Sequence, residues 1–429
     1  MRKRFVAIGL IELAVGLTFA CSSFSGDEAP QAPSGDASDE DGGLLLDASA
    51  ADTSTADGAP ARCSGFDVDA ASQPPSSICG GAMKNLAGDP QNCGWCGHAC
   101  IDSPVCMNGV CQPFAIVTAP GGAELVRVDD SDVYWVDRNR NPNAVFRSST
   151  ALTTDEGNAA MLAEVDASEP VGATAYSVAI DDRIFIHTYL NLYQAPLDGG
   201  PLTLFNGISA GLGQNPLAGS GAHLLQASPI GTGAFFDFLK TDGGLVAEQN
   251  GIGGAFDLVV TPNGRYAFVI GRTAVDGGVV DGAAVTRGAL YRYTVATHDM
   301  TFLAVIDAPT SGDSVLTADD QLVYFPDATG SILQLPVDAV GSVTPTVLSK
   351  GNGGRIRYLT NDAERVYWLS AKDDPNYYQH DLLGVDKCGG AARQYARHED
   401  ATSFLPYGFA TRGSYLYWAS SGTILRVAK

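Results

Sequence analysis

Charge is scarce in this 429-residue chain, with only 17% of residues being Asp, Glu, Lys or Arg. Bases are the scarcer sign, 26 against 48 acids, and the formal charge of −22 repels a phosphate backbone, so nucleic-acid binding is not expected. No amphipathic helix of useful length can be traced, which argues against a helical protein. Past residue 20, no apolar run is long enough to cross a bilayer. The six histidines (His98, His187, His223, His298, His380, His398) are scattered, with no His-Glu-x-x-His pair and no Gly-x-Ser-x-Gly elbow. A phosphate-cradling glycine loop is also missing. No cofactor is therefore expected.

What is plentiful is Gly (50) and Pro (22), the profile of many short strands joined by turns. The first residues carry Arg2, Lys3 and Arg4, then an apolar stretch broken only by Glu12, which reads as an export signal over 1–20. Its end, Ala20-Cys21-Ser22-Ser23, resembles a bacterial lipobox. That resemblance implies acylation of Cys21, an anchor in the cell envelope and, with Ser22 in place of Asp, sorting to the outer membrane. Plain secretion is the alternative. Residues 21–62 are Ala, Ser, Gly, Pro and Asp, with nine acids and one base, Arg62. Such a segment cannot bury a core and is expected to be a disordered, self-repelling tether.

Residues 63–112 concentrate cysteine: Cys63, Cys79, Cys93, Cys96, Cys100, Cys106 and Cys111. In a reducing compartment Cys93, Cys96, His98 and Cys100 suggest zinc. Behind an export signal the oxidised reading is preferred, a small module held by disulfides and binding no metal. Seven is an odd number. With Cys21 lipidated, Cys388 is the remaining partner, although spacing alone does not give the pairing.

From 113 to 429 a repeat governs. The phrases "VDDSDVYWVD" (128–137), "LTNDAERVYWLS" (359–370) and "ATRGSYLYWAS" (410–420) share one plan: apolar strand, tight turn, aromatic strand. Turns before the last strand of each unit fall at Asp155, Asp198, Asp242, Asp299, Asp338 and Asp386, separated by 43, 44, 57, 39 and 48 residues. A period in the forties with about four strands per unit predicts an all-β propeller. Six whole units plus a last unit lacking its fourth strand predict seven blades, closed by "FAIVTA" (114–119) beside the C-terminal segment. Six blades is the alternative if the irregular unit near 206–250 is over-counted.

The paired aromatics, nearest at Tyr134-Trp135-Val136-Asp137, resemble the YWTD class of propeller. The full order of lipobox, acidic tether, "NCGWCGHAC" module and aromatic propeller is similar to surface lipoproteins of myxobacteria. Longer, less regular connections cluster on one face: 138–143, the insertion 273–288, 370–381 and 398–407. Arg138, Arg140, Asp373, Asp374, Tyr377, Tyr378 and His380 are the candidate ligand-binding residues there. No catalytic residue is assigned. The expected function is a monomeric, lipid-anchored envelope module that binds a protein, peptide or glycan without catalysis. The alternative is a metal-dependent, lactonase-like hydrolase or lyase working in the central channel, with His187 facing that channel. A purely structural envelope component is a third possibility. Asp137, Asn139, Asn141 and Asn143 imitate a calcium loop, but Pro142 and Ser148 occupy the places of its Gly and Glu.

Overall fold

A computed structural model describes residues 75–118, 122–151, 159–165, 177–188, 191–206, 216–228, 234–252, 254–272, 279–280, 283–284, 288–306, 315–351, 354–374, 377–400, 407–420 and 422–429. All belong to the second of two compact units, Ala59–Lys429. The export signal, the tether, Cys21, Cys63 and the Asp155 turn lie outside these residues.

Every regular element described is a strand. Seven four-stranded antiparallel blades follow one another along the chain, the first six with their strands in sequence order from inner to outer. Blade one is Ala123–Val128, Asp132–Asp137, Ala144–Ser149 and Ala160–Glu164; blade two is Ser177–Ile180, Arg183–His187, Leu192–Pro196 and Thr203–Asn206. Blade three is Leu217–Ser220, His223–Ala227, Ala234–Leu239 and Leu245–Asn250, so the irregular unit is a true blade. Blade four is Ala255–Val260, Tyr266–Arg272, Gly288–Thr294 and Asp299–Ile306; blade five is Thr317–Ala318, Leu322–Pro326, Ile332–Pro336 and Thr346–Ser349. Blade six is Arg355–Asn361, Arg365–Asp374, Tyr377–Asp386 and Arg393–Asp400. Blade seven takes Tyr407–Arg412, Tyr415–Ser420 and Thr423–Ala428 from the C-terminus, and its fourth strand is Phe114–Thr118, paired antiparallel as Ile424↔Val117 and Arg426↔Phe114.

The core is divided the same way. Among the described residues there are seven buried apolar clusters, and each fills one blade–blade junction, including the junction of blade seven with blade one. A closed ring is the only arrangement that gives every blade two neighbours. The chain is a seven-bladed β-propeller.

The recurring aromatic phrase follows from that division. A second strand has no solvent face, so its alternate residues serve opposite junctions. Trp135, Trp368 and Trp418 pack toward the preceding blade, while Tyr134, Tyr367 and Tyr417 pack toward the following one. All six are at most 3% exposed. Removing one such ring costs about 3–5 kcal/mol, so each phrase holds its blade on both sides. Gly384 makes room for this packing in blade six: a Cβ there would lie 2.6 Å from the Tyr367 ring and 2.9 Å from that of Tyr395.

The cysteine module is held by Cys79–Cys96, Cys93–Cys106 and Cys100–Cys111. The sulfurs of Cys93, Cys100 and Cys111 lie close enough to suggest a metal site, but all three are taken by disulfides. The module is not a separate bead. Its hairpin Cys106–Met107 and Val110–Cys111 joins the outer edge of blade six, Cys111 pairing in parallel with Ala396. Trp95 stacks on His98 at 3.7 Å and meets Tyr395 edge-on at 5.2 Å. The Cys93 carbonyl, 2.6 Å away, can only accept, so His98 Nδ1 carries the proton; burial holds this imidazole below its ordinary pKa. Asp102 reaches blade seven and grips Arg426 with both oxygens, at 2.6 and 3.0 Å, the two side chains being 4% exposed.

Candidate functional site

In a propeller, turns between strands one and two and between three and four share one rim; the remaining connections share the other. On the first, here the turn rim, the aspartates are fully employed. Asp129, Asp319 and Asp362 each accept two backbone N–H bonds of their own turn through Oδ1, at 2.8–3.0 Å. Their Oδ2 atoms accept the hydroxyls of Tyr134, Tyr324 and Tyr367 at 3.0, 3.2 and 3.0 Å. Asp and Tyr five residues apart thus fix the turn to the strand it opens.

Neighbouring blades then lock together through the same acids. Lys387 of blade six reaches Asp319 of blade five at 2.5 Å, and Lys429 of blade seven reaches Asp362 of blade six at 2.6 Å. Lys240 of blade three contacts Asp181 of blade two. Burial raises the carboxyl pKa of Asp319 and Asp362, but the lysine and the two N–H donors outweigh it and hold both below the ordinary value. Arg412 of blade seven grips Asp130 of blade one at 2.7 and 2.8 Å. Asp129, Asp130, Asp181, Asp319 and Asp362 thus serve as turn and clamp residues.

One cluster on this rim was invisible in the sequence. Asp237, fully buried in blade three, accepts from His223 Nδ1 at 2.7 Å and from the Tyr293 hydroxyl of blade four at 2.7 Å. With its own proton so directed, the Tyr293 oxygen accepts from His298 Nδ1 at 2.9 Å. Burial, then Asp237, pushes the phenol well above its ordinary range. His223 and His298 are 75 residues apart, so only the blade register brings them together. The cluster ties blades three and four.

The channel is lined by first strands. At its mouth on the other rim, the loop rim, Arg138 pairs with Glu124, beside a small cavity of ≈190 Å³ bounded also by Val126, Val178, Tyr358 and Phe409. Asp257, the other first-strand acid among the described residues, is turned aside: its Oδ2 accepts the N–H groups of Val315 and Leu316 at 2.6 Å each. His187 does not face the channel. It is fully buried, and the two-residue period places it on the side of Phe185, which packs between blades two and three. Burial lowers its pKa to about 4.

The structure separates the candidate ligand-binding residues. Arg138 turns inward to Glu124, whereas Arg140 turns outward to Glu164 on the fourth strand, 3.0 Å away, and over the Phe146 ring at 5.8 Å. Their loop is closed by Asn143, whose amide donates to the carbonyls of Arg138 and Arg140 at 3.0 and 2.7 Å. A calcium loop uses the backbone carbonyl at the Asn143 position, and here that carbonyl accepts the N–H of Val165 at 3.0 Å. Residues 370–381 are not an irregular loop, as the sequence suggested. They form the end of a long hairpin in which Asp373 pairs with Tyr378 and Asp374 with Tyr377. The segment 398–400 is strand as well, opposite 378–380. His380 is 1% exposed and belongs to the interior of this sheet, not to the rim surface. The side chains of Asp373, Asp374, Tyr377 and Tyr378 lie outside the described set.

No protein-family model and no curated protein matches the chain. Among solved structures it is similar to the computationally designed Ika8 protein, at 12% identity over 73% of this chain and 99% of that one, with a TM-score of 0.48. It is similar also to the WD40 β-propeller domain of Doa1, at 14% identity over 74% and 97%, with a TM-score of 0.49. These likenesses concern the fold alone.

Proposed function

We propose that the protein is a lipid-anchored, non-catalytic envelope module that binds a protein, peptide or glycan through its loop rim. The observation that carries this reading is the length of blade six. Its second and third strands run ten residues each, while those of the other blades run five to seven. At about 3.3 Å per residue the hairpin overshoots its neighbours by roughly 10–15 Å. Only the loop rim has such a projection among the described residues, and it ends in Asp373, Asp374, Tyr377 and Tyr378. Two acids and two tyrosines suit hydrogen bonding and stacking with a peptide or sugar. The turn rim, clamped by ion pairs between neighbouring blades, supplies the rigid support that a recognition surface needs.

The test is an array of peptides and glycans probed with the soluble fragment 63–429, with and without Ca2+. Selective binding is expected, weakened at least tenfold in Asp373→Ala/Tyr377→Ala/Tyr378→Ala. No binding, or binding indifferent to the hairpin tip, refutes the proposal.

A further inference from the structure

Cys388 lies in the turn between the third and fourth strands of blade six and is disulfide-bonded. The other six described cysteines pair among themselves, so of the nine in the chain only Cys21 and Cys63 remain as its partner. Pro75 decides between them. Its carbonyl accepts the N–H of Leu86 at 2.8 Å, and it lines a cleft of ≈460 Å³ between the module and blade six. The opposite wall includes Ala392 and Arg393, four and five residues after Cys388. Cys63 is 12 residues before Pro75, which spans up to about 40 Å when extended. Cys21 is 54 residues away, and closing that longer loop is roughly tenfold less favourable.

We infer that Cys63 is the partner of Cys388, a fourth disulfide that ties the start of the cysteine module to the turn between the third and fourth strands of blade six. The bond forms as the other three do. Two thiols give two protons and two electrons to an oxidised dithiol oxidase through thiol–disulfide exchange.

Digestion of the oxidised protein with trypsin and an Asp-specific protease tests the pairing independently of any ligand. The expected product is residues 63–66 joined to residues 388–393. A free Cys388 thiol, or a link to Cys21, overturns it.

Discussion

Replacing Asp102 by Ala should unfold the protein more easily than any other single change on its surface module. Arg426 lies on the third strand of blade seven, with its guanidinium 4.5 Å from the Tyr415 ring, donating also to the Thr150 carbonyl of blade one. It joins module, last blade and first blade. At 4% exposure it has exchanged water for these partners, and Asp102 supplies its only counter-charge among the bonds described. Removing one member of a buried pair strands the other charge and costs about 3–5 kcal/mol. At roughly 2 °C per kcal/mol for a domain of this size, Tm should fall by roughly 6–10 °C. Urea unfolding of Asp102→Ala, Arg426→Met and the double variant closes a thermodynamic cycle. The double variant should recover at least about 2 kcal/mol relative to the sum of the singles, because no unpaired charge remains. A single-variant loss below about 1 kcal/mol, or an additive cycle, refutes the desolvated clasp and with it the docking of the module on blade seven.

Three further outcomes follow from single side chains. His187 has a folded pKa of about 4 against 6.5 when unfolded, so its contribution is complete above pH 6.5 and is lost as pH falls toward 4, by up to about 3 kcal/mol; urea midpoints should slope across this window in the parent and flatten in His187→Leu. Gly384→Ala thrusts a methyl into the Tyr367 and Tyr395 rings and should cost about 1–3 kcal/mol, read as a lower Tm; an unchanged Tm refutes the packing described. Gln226 is fully buried in blade three with neither amide atom bonded, so Gln226→Leu should stabilise by about 1–3 kcal/mol, and a lower urea midpoint counts against that account.

The ring was readable in the sequence because its second strands are buried on both faces. "VYWV", "VYWL" and "LYWA" are continuous apolar runs, and the tight turns before them keep Asp or Gly at fixed offsets. The closing strand was readable by subtraction, since "FAIVTA" had no hairpin partner of its own. Blade six misled for the opposite physical reason. Beyond the ring its hairpin has no neighbouring blade to pack against, so "SAKDDPNYYQHD" carries no apolar period and resembles a loop. The Asp237 cluster left no local signal at all. Its two halves, His223 with Asp237 and Tyr293 with His298, are 56 residues apart at their nearest and meet only through blade register. The lysine clamps had a faint one: Lys240, Lys387 and Lys429 each stand just after a third strand, a position that means nothing until the ring sets it beside the previous blade's turn.

The two rims differ because of what each must resist. A propeller assembled from separate sheets is held by its junctions, and the last junction is made by segments from opposite ends of the chain, Phe114–Thr118 and Thr423–Ala428. That is where the remaining fastenings converge. Lys429, the final residue, clamps blade six. Arg426 binds both the module and blade one, and Arg412 binds blade one directly. The cysteine module then pairs with the outer edge of blade six, where an unprotected strand edge would otherwise invite pairing with another chain, and reaches Arg426 of blade seven. Stability is thus concentrated on the turn rim beside the closure. The loop rim, relieved of that duty, can carry a hairpin that projects past the neighbouring blades.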